Sequence, residues 1–381
     1  MPAIGVPAPK KGSGIRPLVV APIESRIVQR AIHDVLRDVP SIRQYTENPF
    51  SFGGVRKKHG NELGAVPAAI QAAVEAIRNG ATHVVRSDIS AFFTKIPKPA
   101  VTAIVAAAMQ QPDFVELFTK AIAVELENLA ALRERISEFP IHEIGVAQGN
   151  SLSPLLGNLL LRDFDIEMNV GPSRCLRYID DFLILAPDRA TADREFSRAR
   201  NLLSKYNLEV SIEKTDRGDT TQGFVFLGIE LGNGAIRPSK DSRKRLLSNI
   251  SEILDDGASA MRAHRKTGKI NPAFSLIRTL NEVKGVVQGW GSHYSFCNEK
   301  NIFAQLDNAL TSLLRGYLGR YSREIERANA KGRRHLLGVP LLEELACHPF
   351  SWAQPSTTPS IFQSYKANAS PEPDNPATAD S

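Results

Sequence analysis

The chain has 381 residues, 42% of them hydrophobic and 23% charged, and a formal net charge of +6 at pH 7. This length supports two or three domains and a substantial core. No apolar run reaches the roughly 18 residues of a membrane span and the first residues hold no signal-peptide core, so a cytoplasmic protein without membrane association is expected.

Cys175, Cys297 and Cys347 stand far apart, which supports neither a disulfide framework nor a cysteine zinc site and suits a reducing compartment. The charge is uneven. Residues 243–334 hold 17 Lys/Arg against 8 Asp/Glu, and residues 1–60 hold 10 against 4. Basic ends around a less basic middle suit a protein that grips a polyanion.

Residues 1–20 are rich in Pro and Gly, with Lys10, Lys11 and Arg16 around Gly12 and Gly14. They predict a basic hairpin whose returning strand is Arg16-Pro17-Leu18-Val19-Val20. Ile23 to Val39 has helical periodicity, with Ile27, Ala31, Ile32 and Val35 on one expected inner face. A Gly-rich loop with Arg56, Lys57 and Lys58 follows, then an Ala-rich helix from Pro67 to Arg78.

Thr82 to Ile89 predicts a strand that ends in Asp88, and Ser90-Ala91-Phe92-Phe93 turns out of it. Residues 97–138 read as mostly helical. Gly145 to Pro154 is a polar loop that opens an apolar helix, with Ser153 as the expected N-cap and Pro154 as the first helical residue. In Arg177-Tyr178-Ile179-Asp180-Asp181-Phe182-Leu183-Ile184-Leu185, apolar runs flank two adjacent acids. The pattern predicts two short buried strands whose connecting turn holds both carboxylates.

Residues 190–206 read as a helix, Leu208 to Ile212 as a strand leading to Glu213-Lys214-Thr215, and Gly223 to Leu231 as a tight hairpin. From Ser239 the chain becomes helical and basic, with an aromatic cluster at Trp290, His293, Tyr294 and Phe296. Residues 346–381 are rich in Pro, Ser, Thr and Ala and are expected to be a disordered tail.

Two carboxylates held side by side repel each other, and a divalent cation relieves that repulsion. Asp88 supplies a third acid. If its strand neighbours the Asp180–Asp181 hairpin in one antiparallel sheet, the three converge as a site for two Mg2+ ions, the arrangement used in phosphoryl displacement. Cations at Lys10, Lys11 and Arg16 would then neutralise phosphates.

The order of these parts resembles the reverse transcriptase family, especially its bacterial group II intron, retron and defence-associated branch. The resemblance runs from about Lys10 to about Arg320. It rests on Arg16-Pro17-Leu18, Ser87-Asp88-Ile89-Ser90-Ala91-Phe92-Phe93, Gln148-Gly149-Asn150-Ser151-Leu152-Ser153-Pro154, Tyr178-Ile179-Asp180-Asp181, Glu213-Lys214-Thr215 and Phe226-Leu227-Gly228. It implies an α+β right-hand polymerase: fingers at 1–83, a palm with an antiparallel sheet at 84–235, a helical basic thumb at 236–345 and the tail at 346–381. The palm would include a helical insertion at about 97–144 and the catalytic hairpin at 176–186.

By the resemblance, Asp88, Asp180 and Asp181, with the Ile89 carbonyl, match the family's ligands for two Mg2+ ions, for which Mn2+ can substitute. Phe93 matches the gate against a ribose 2′-OH, which implies dNTP use; its alternative is a core Phe beside Phe92. Lys10 or Lys11, Arg16, Gln148 and Gly149 match the dNTP-binding positions, and Lys214 the lysine that protonates pyrophosphate. Tyr178 would lie near the primer or template, Phe226, Leu227 and Gly228 would hold the primer end, and Trp290 and Tyr294 would stack on nucleic acid. Trp290 serves equally as a core residue.

The implied partners are an RNA template, a dedicated non-coding RNA among the candidates, together with dNTPs and a DNA product. The first motif lies about ten residues from the start, and no zinc cluster, HNH-like nuclease or RNase H-like acid set is found. The expected setting is therefore antiphage defence or a retron-like system. An RNA-binding scaffold or maturase-like splicing cofactor, and an RNA-dependent RNA polymerase, are the alternative readings of the same parts.

Overall fold

The computed structural model describes residues 2–10, 14–54, 64–346, 348 and 350. Lys11, the basic loop residues Arg56, Lys57 and Lys58, Cys347 and nearly all of the expected tail lie outside the described residues. No helix among those described is long and apolar enough to cross a membrane.

The expected hairpin forms from β1 (Ile4–Pro9) and β2 (Ile15–Val20), paired antiparallel with Ala8 opposite Arg16. Helices α1 (Ile23–Asp38), α2 (Pro40–Thr46) and α3 (Ala65–Arg78) precede β3 (His83–Asp88). On α1 the expected inner face is corrected. Ile23, Ile27, Ala31 and Val35 are exposed, and Gln29, Ile32 and Leu36 face the core. Periodicity located a stripe, but α2 and α6 take the neighbouring one.

After β3 come α4 (Phe92–Lys95), α5 (Lys98–Met109), α6 (Pro112–Ile122), α7 (Leu129–Leu132) and α8 (Ser153–Glu167). Ser153 is the first residue of α8 rather than its N-cap: its buried hydroxyl donates to the Ala147 carbonyl at 2.6 Å. Asn150 Oδ1 accepts from the Leu152 amide instead. Strands β4 (Arg174–Tyr178) and β5 (Asp181–Ala186) form the expected acid hairpin, followed by α9 (Arg189–Ser204).

The central sheet has the order β4-β5-β3-β6, all antiparallel, with β6 at Asp216–Asp219. The expected strand at Leu208–Ile212 is corrected: it is reduced to one bridge, Val210 against Ile89, and a 3-10 turn at Ile212–Lys214. The edge strand β6 reads Asp-Arg-Gly-Asp and carries no apolar alternation. Polar contacts hold this end instead: Arg86 Nη2 to Asp216 at 2.7 Å and Ser87 Oγ with Thr215 Oγ1 at 2.8 Å.

Both sheet faces are covered, which explains the unbroken apolar run of β5. Phe182, Ile184 and Ala186 face a core built with α8 and α9, whereas Leu183 and Leu185 face α3 and a second sheet. Phe182 is fully buried, so its truncation to Ala should cost about 3–5 kcal/mol. The second sheet, β7 (Phe224–Phe226), β8 (Ile229–Gly232) and β9 (Ala235–Pro238), adds one strand to the expected hairpin.

The remaining helices are α10 (Lys240–Thr267), α11 (Leu276–His293), α12 (Lys300–Arg327) and α13 (Ala330–Leu337). The described residues form two compact units, one drawn from 1–255 and 280–318, the other from 256–279 and 319–346. In the second, Glu324 pairs with Arg265 and Arg327, each at 3.7 Å. Asn329 caps α13 by accepting from the Gly332 amide.

Candidate active site

The acids meet at one end of the central sheet. Asp88, the last residue of β3, is the register partner of Asp181, the first residue of β5. Asp180 lies in the turn between β4 and β5, and its carbonyl accepts from the Ile89 amide at 2.9 Å. Adjacent strands run about 4.8 Å apart, so this register brings the two strands' carboxylates together.

The turn is strained. Ile179 has φ +60°, a left-handed conformation that a β-branched residue rarely adopts and that costs about 1–3 kcal/mol. The fully buried Arg177 donates from Nη1 to the Ile179 carbonyl at 2.9 Å. The sequence assigned Arg177 no role; it is the inward-facing one of two arginines in the strand, Arg174 being exposed.

Crowding shows in the electrostatics. Burial pushes the Asp181 carboxyl up to about 6, with the charges of Asp180 and Asp88 adding to the effect. Asp180 is raised by burial and by Asp88, against the opposing fields of Lys214 and Arg16. Lys214 Nζ lies 2.7 Å from Asp88 Oδ2. Its side chain is 65% exposed, so this ion pair adds at most about 1 kcal/mol. The lysine is placed by the 3-10 turn, whose Ser211 amide donates to the Asp88 carbonyl at 2.8 Å.

Among the described residues, no group of three or more His, Cys, Asp or Glu side chains is placed so that it could hold a metal ion. The donor chemistry is nonetheless of the kind hard cations take: three carboxylates, two of them with raised proton affinity, lie at one end of the sheet.

The hairpin β1–β2 reaches this end of the sheet. Its Val19 amide donates to the Gln148 carbonyl at 3.0 Å, and Leu18 bridges Gln148 in parallel register. Gly149 follows at φ +109°, where a Cβ would also stand 3.2 Å from the Val19 carbonyl, so this position requires glycine. Arg16 is exposed, and Lys10 lies at the hairpin tip with its amide donating to Gly14. A groove of about 890 Å3 is lined by Ile27, Phe93, Gln148, Gly149, Pro154 and Ile179, among others. Phe93 is half-buried against Phe92, with ring centroids 5.5 Å apart.

The primer-holding residues divide. Leu227 and Gly228 form the β7–β8 turn, both with positive φ, and are partly exposed. The expected stacking of Tyr294 is corrected: its side chain is buried, at 7% exposure, and cannot stack on nucleic acid, while the Phe226 side chain, at 0%, anchors the turn in the core. Tyr294 donates to Ser242 Oγ at 2.9 Å, and Ser242 Oγ donates to the Gly228 carbonyl, so the tyrosine braces the turn from behind. Trp290 packs on Tyr294 and Phe303 with centroids at 4.4 and 6.1 Å, which favours its core role. Tyr178 is half-buried, beside the acid turn and opposite Asp181.

The family model "Reverse transcriptase (RNA-dependent DNA polymerase)" matches residues 8–231. Protein YkfC of Escherichia coli (strain K12) is 24% identical over 287 residues, 66% of this chain and 71% of that protein. Among solved structures, apo telomerase from Candida tropicalis truncated from its C-terminal domain gives a TM-score of 0.41 at 13% identity, over 62% of this chain and 55% of that one. Telomerase from Candida albicans in complex with a fragment of telomeric RNA gives 0.41 at 13%, over 91% and 65%. The chain thus spans less than two thirds of either telomerase chain.

Proposed function

The chain belongs to the reverse transcriptase (RNA-dependent DNA polymerase) family, and from that premise we propose that it extends a primer on an RNA template with dNTPs. The carrying observation is the register of Asp88 against Asp181, with Asp180 in the adjoining turn and the Phe93-lined groove beside them. Asp88, Asp180 and Asp181, with the Ile89 carbonyl, would hold two Mg2+ ions, which when bound lower the pKa of the attacking hydroxyl and stabilise the leaving pyrophosphate.

The chain's own groups divide the remaining work. Arg16, with one of Lys10 and Lys11, meets the triphosphate, and the Arg16 field already acts on Asp180. Gln148 and Gly149 present backbone to the nucleotide beside β2. The Phe93 ring occupies the space a ribose 2′-OH would need. Lys214 moves its proton to the departing pyrophosphate once the Asp88 charge is otherwise compensated. Leu227 and Gly228 support the primer end, and Tyr178 lies under the primer terminus.

We assign fingers to 1–83, palm to 84–235 and thumb to 236–345. The excess of basic residues in 243–334 supports RNA binding by the thumb. The setting we favour is a defence or retron-like system in which a dedicated RNA serves as template. Incubation with primed RNA, Mg2+ and labelled dNTPs should give DNA, and none over several template–primer pairs would overturn the proposal. Preferential incorporation of rNTPs would favour an RNA polymerase instead.

A further inference from the structure

Arg177 and Asp165 form a wholly buried ion pair beneath the acid turn. Arg177 Nε donates to Asp165 Oδ1 at 2.7 Å and Nη2 to Oδ2 at 2.6 Å, with both side chains 0% exposed. The third arm, Nη1, is the one that donates to the Ile179 carbonyl. All three guanidinium nitrogens are therefore used, two on α8 and one on the turn. Asn48 Nδ2 donates to Asp165 Oδ2 at 2.9 Å, which orients the carboxylate from its other side.

The segment that carries Asn48 also reaches the turn. The Arg177 amide donates to the Phe50 carbonyl at 2.8 Å, and the Phe52 amide donates to the Arg177 carbonyl at 2.9 Å. At Gly53 an added methyl would stand 2.5 Å from Ile179 Cγ1 and 2.8 Å from the Ile179 amide nitrogen. Asn158 of α8 fastens this stretch by donating to the Gly53 carbonyl at 2.9 Å. The left-handed Ile179 is thus gripped at its carbonyl by Arg177 and backed at its side chain by Gly53.

An apolar pair would fill the same core at lower desolvation cost, so a buried, triply bonded arginine at this place calls for a purpose besides stability. We propose that Arg177, oriented by Asp165 and Asn48 and backed by Gly53, is a positioning residue: it holds Ile179 in its strained conformation and so aims the Asp180 and Asp181 carboxylates. Arg177 touches neither the reacting atoms nor the nucleotide groove. The proposal rests on the polymerase reading for its kinetic consequences, but not for its effect on cation binding.

The test compares Arg177→Lys and Gly53→Ala with the wild type. Lysine keeps a charge for Asp165 but cannot reach the carboxylate and the Ile179 carbonyl together. Gly53→Ala presses on the turn without touching the ion pair. For each protein, single-nucleotide kcat and KM, primer–template Kd by anisotropy, melting temperature, and Mn2+ affinity by titration of the chain alone would be measured. Both variants should lose about ten- to hundred-fold in kcat and in Mn2+ affinity, as is usual when a group orienting metal ligands is disturbed, with primer–template Kd within about threefold.

Variants that melt lower but keep wild-type kcat and Mn2+ affinity per folded molecule would reduce Arg177 to a stabilising role and overturn the proposal. If Arg177→Lys does not fold, Gly53→Ala decides alone. A wild type that binds Mn2+ but makes no DNA would sink the polymerase reading, while the Mn2+ affinities would still decide the positioning role.

Discussion

Replacing Asp181 with Asn should abolish synthesis and yet make the cation-free protein more stable. The Asp181 carboxyl is pushed up to about 6 from an ordinary 3.8, chiefly by burial and then by Asp180 and Asp88. A carboxyl whose proton affinity rises on folding contributes stability that is complete below its unfolded value and is lost as pH rises through the folded one. The wild type should therefore lose about 3 kcal/mol between roughly pH 4 and pH 7, because each tenfold in proton affinity is about 1.4 kcal/mol. Asn keeps the shape and removes the charge, so the variant should escape that loss. At about 1–2 °C per kcal/mol for a unit of this size, the variant should melt about 3–6 °C above the wild type at pH 8. The assay is thermal denaturation in a chelating buffer, with the gap closing towards pH 4. Added Mg2+ should then raise the wild-type melting point and leave the variant nearly unmoved. A variant that melts at or below the wild type in chelator at pH 8 would refute the reasoning, since the acids would then not be held together at a cost.

Acidification should weaken cation binding, because a proton on Asp181 competes with the metal; the half-saturating Mg2+ concentration for synthesis should rise about tenfold between pH 7 and pH 5. Phe93→Ala should cut discrimination against rNTPs by about 10–200-fold in competing kcat/KM measurements with little change for dNTPs, since one steric contact has that scale. Tyr294→Phe removes the bond to Ser242 and should cost about 1 kcal/mol by chemical denaturation, with weaker primer retention, whereas Tyr294→Ala also opens a cavity and should cost about 3–5 kcal/mol. Gly149→Ala should raise the dNTP KM several-fold, measured on a fixed primed RNA, because the position combines φ +109° with a carbonyl 3.2 Å away.

Local pattern carried a large part of the design. Asp180 and Asp181 stand between apolar runs, and that is enough to place a hairpin with acids at its turn, since a strand buried on both faces leaves its mark in consecutive residues. The same holds for Asp88 at the end of the strand that carries Val84 and Val85, and for the glycine-bounded hairpin at Leu227 and Gly228. What no local pattern contains is pairing between distant segments. The register that sets Asp88 against Asp181 spans the helical insertion, and the raised proton affinities exist only because of that register and its burial. The edge strand at Asp216–Asp219 has no apolar alternation, because its partners are polar groups on β3 and the loop before it. The apolar stripe of α1 and the aromatics at Phe226 and Tyr294 identify residues fit for burial or for contact, and only their neighbours decide which. Arg177 is the sharpest case: its sequence position next to the acids is plain, but its role depends on Asp165, Asn48 and Gly53, which only the folded chain brings under the turn.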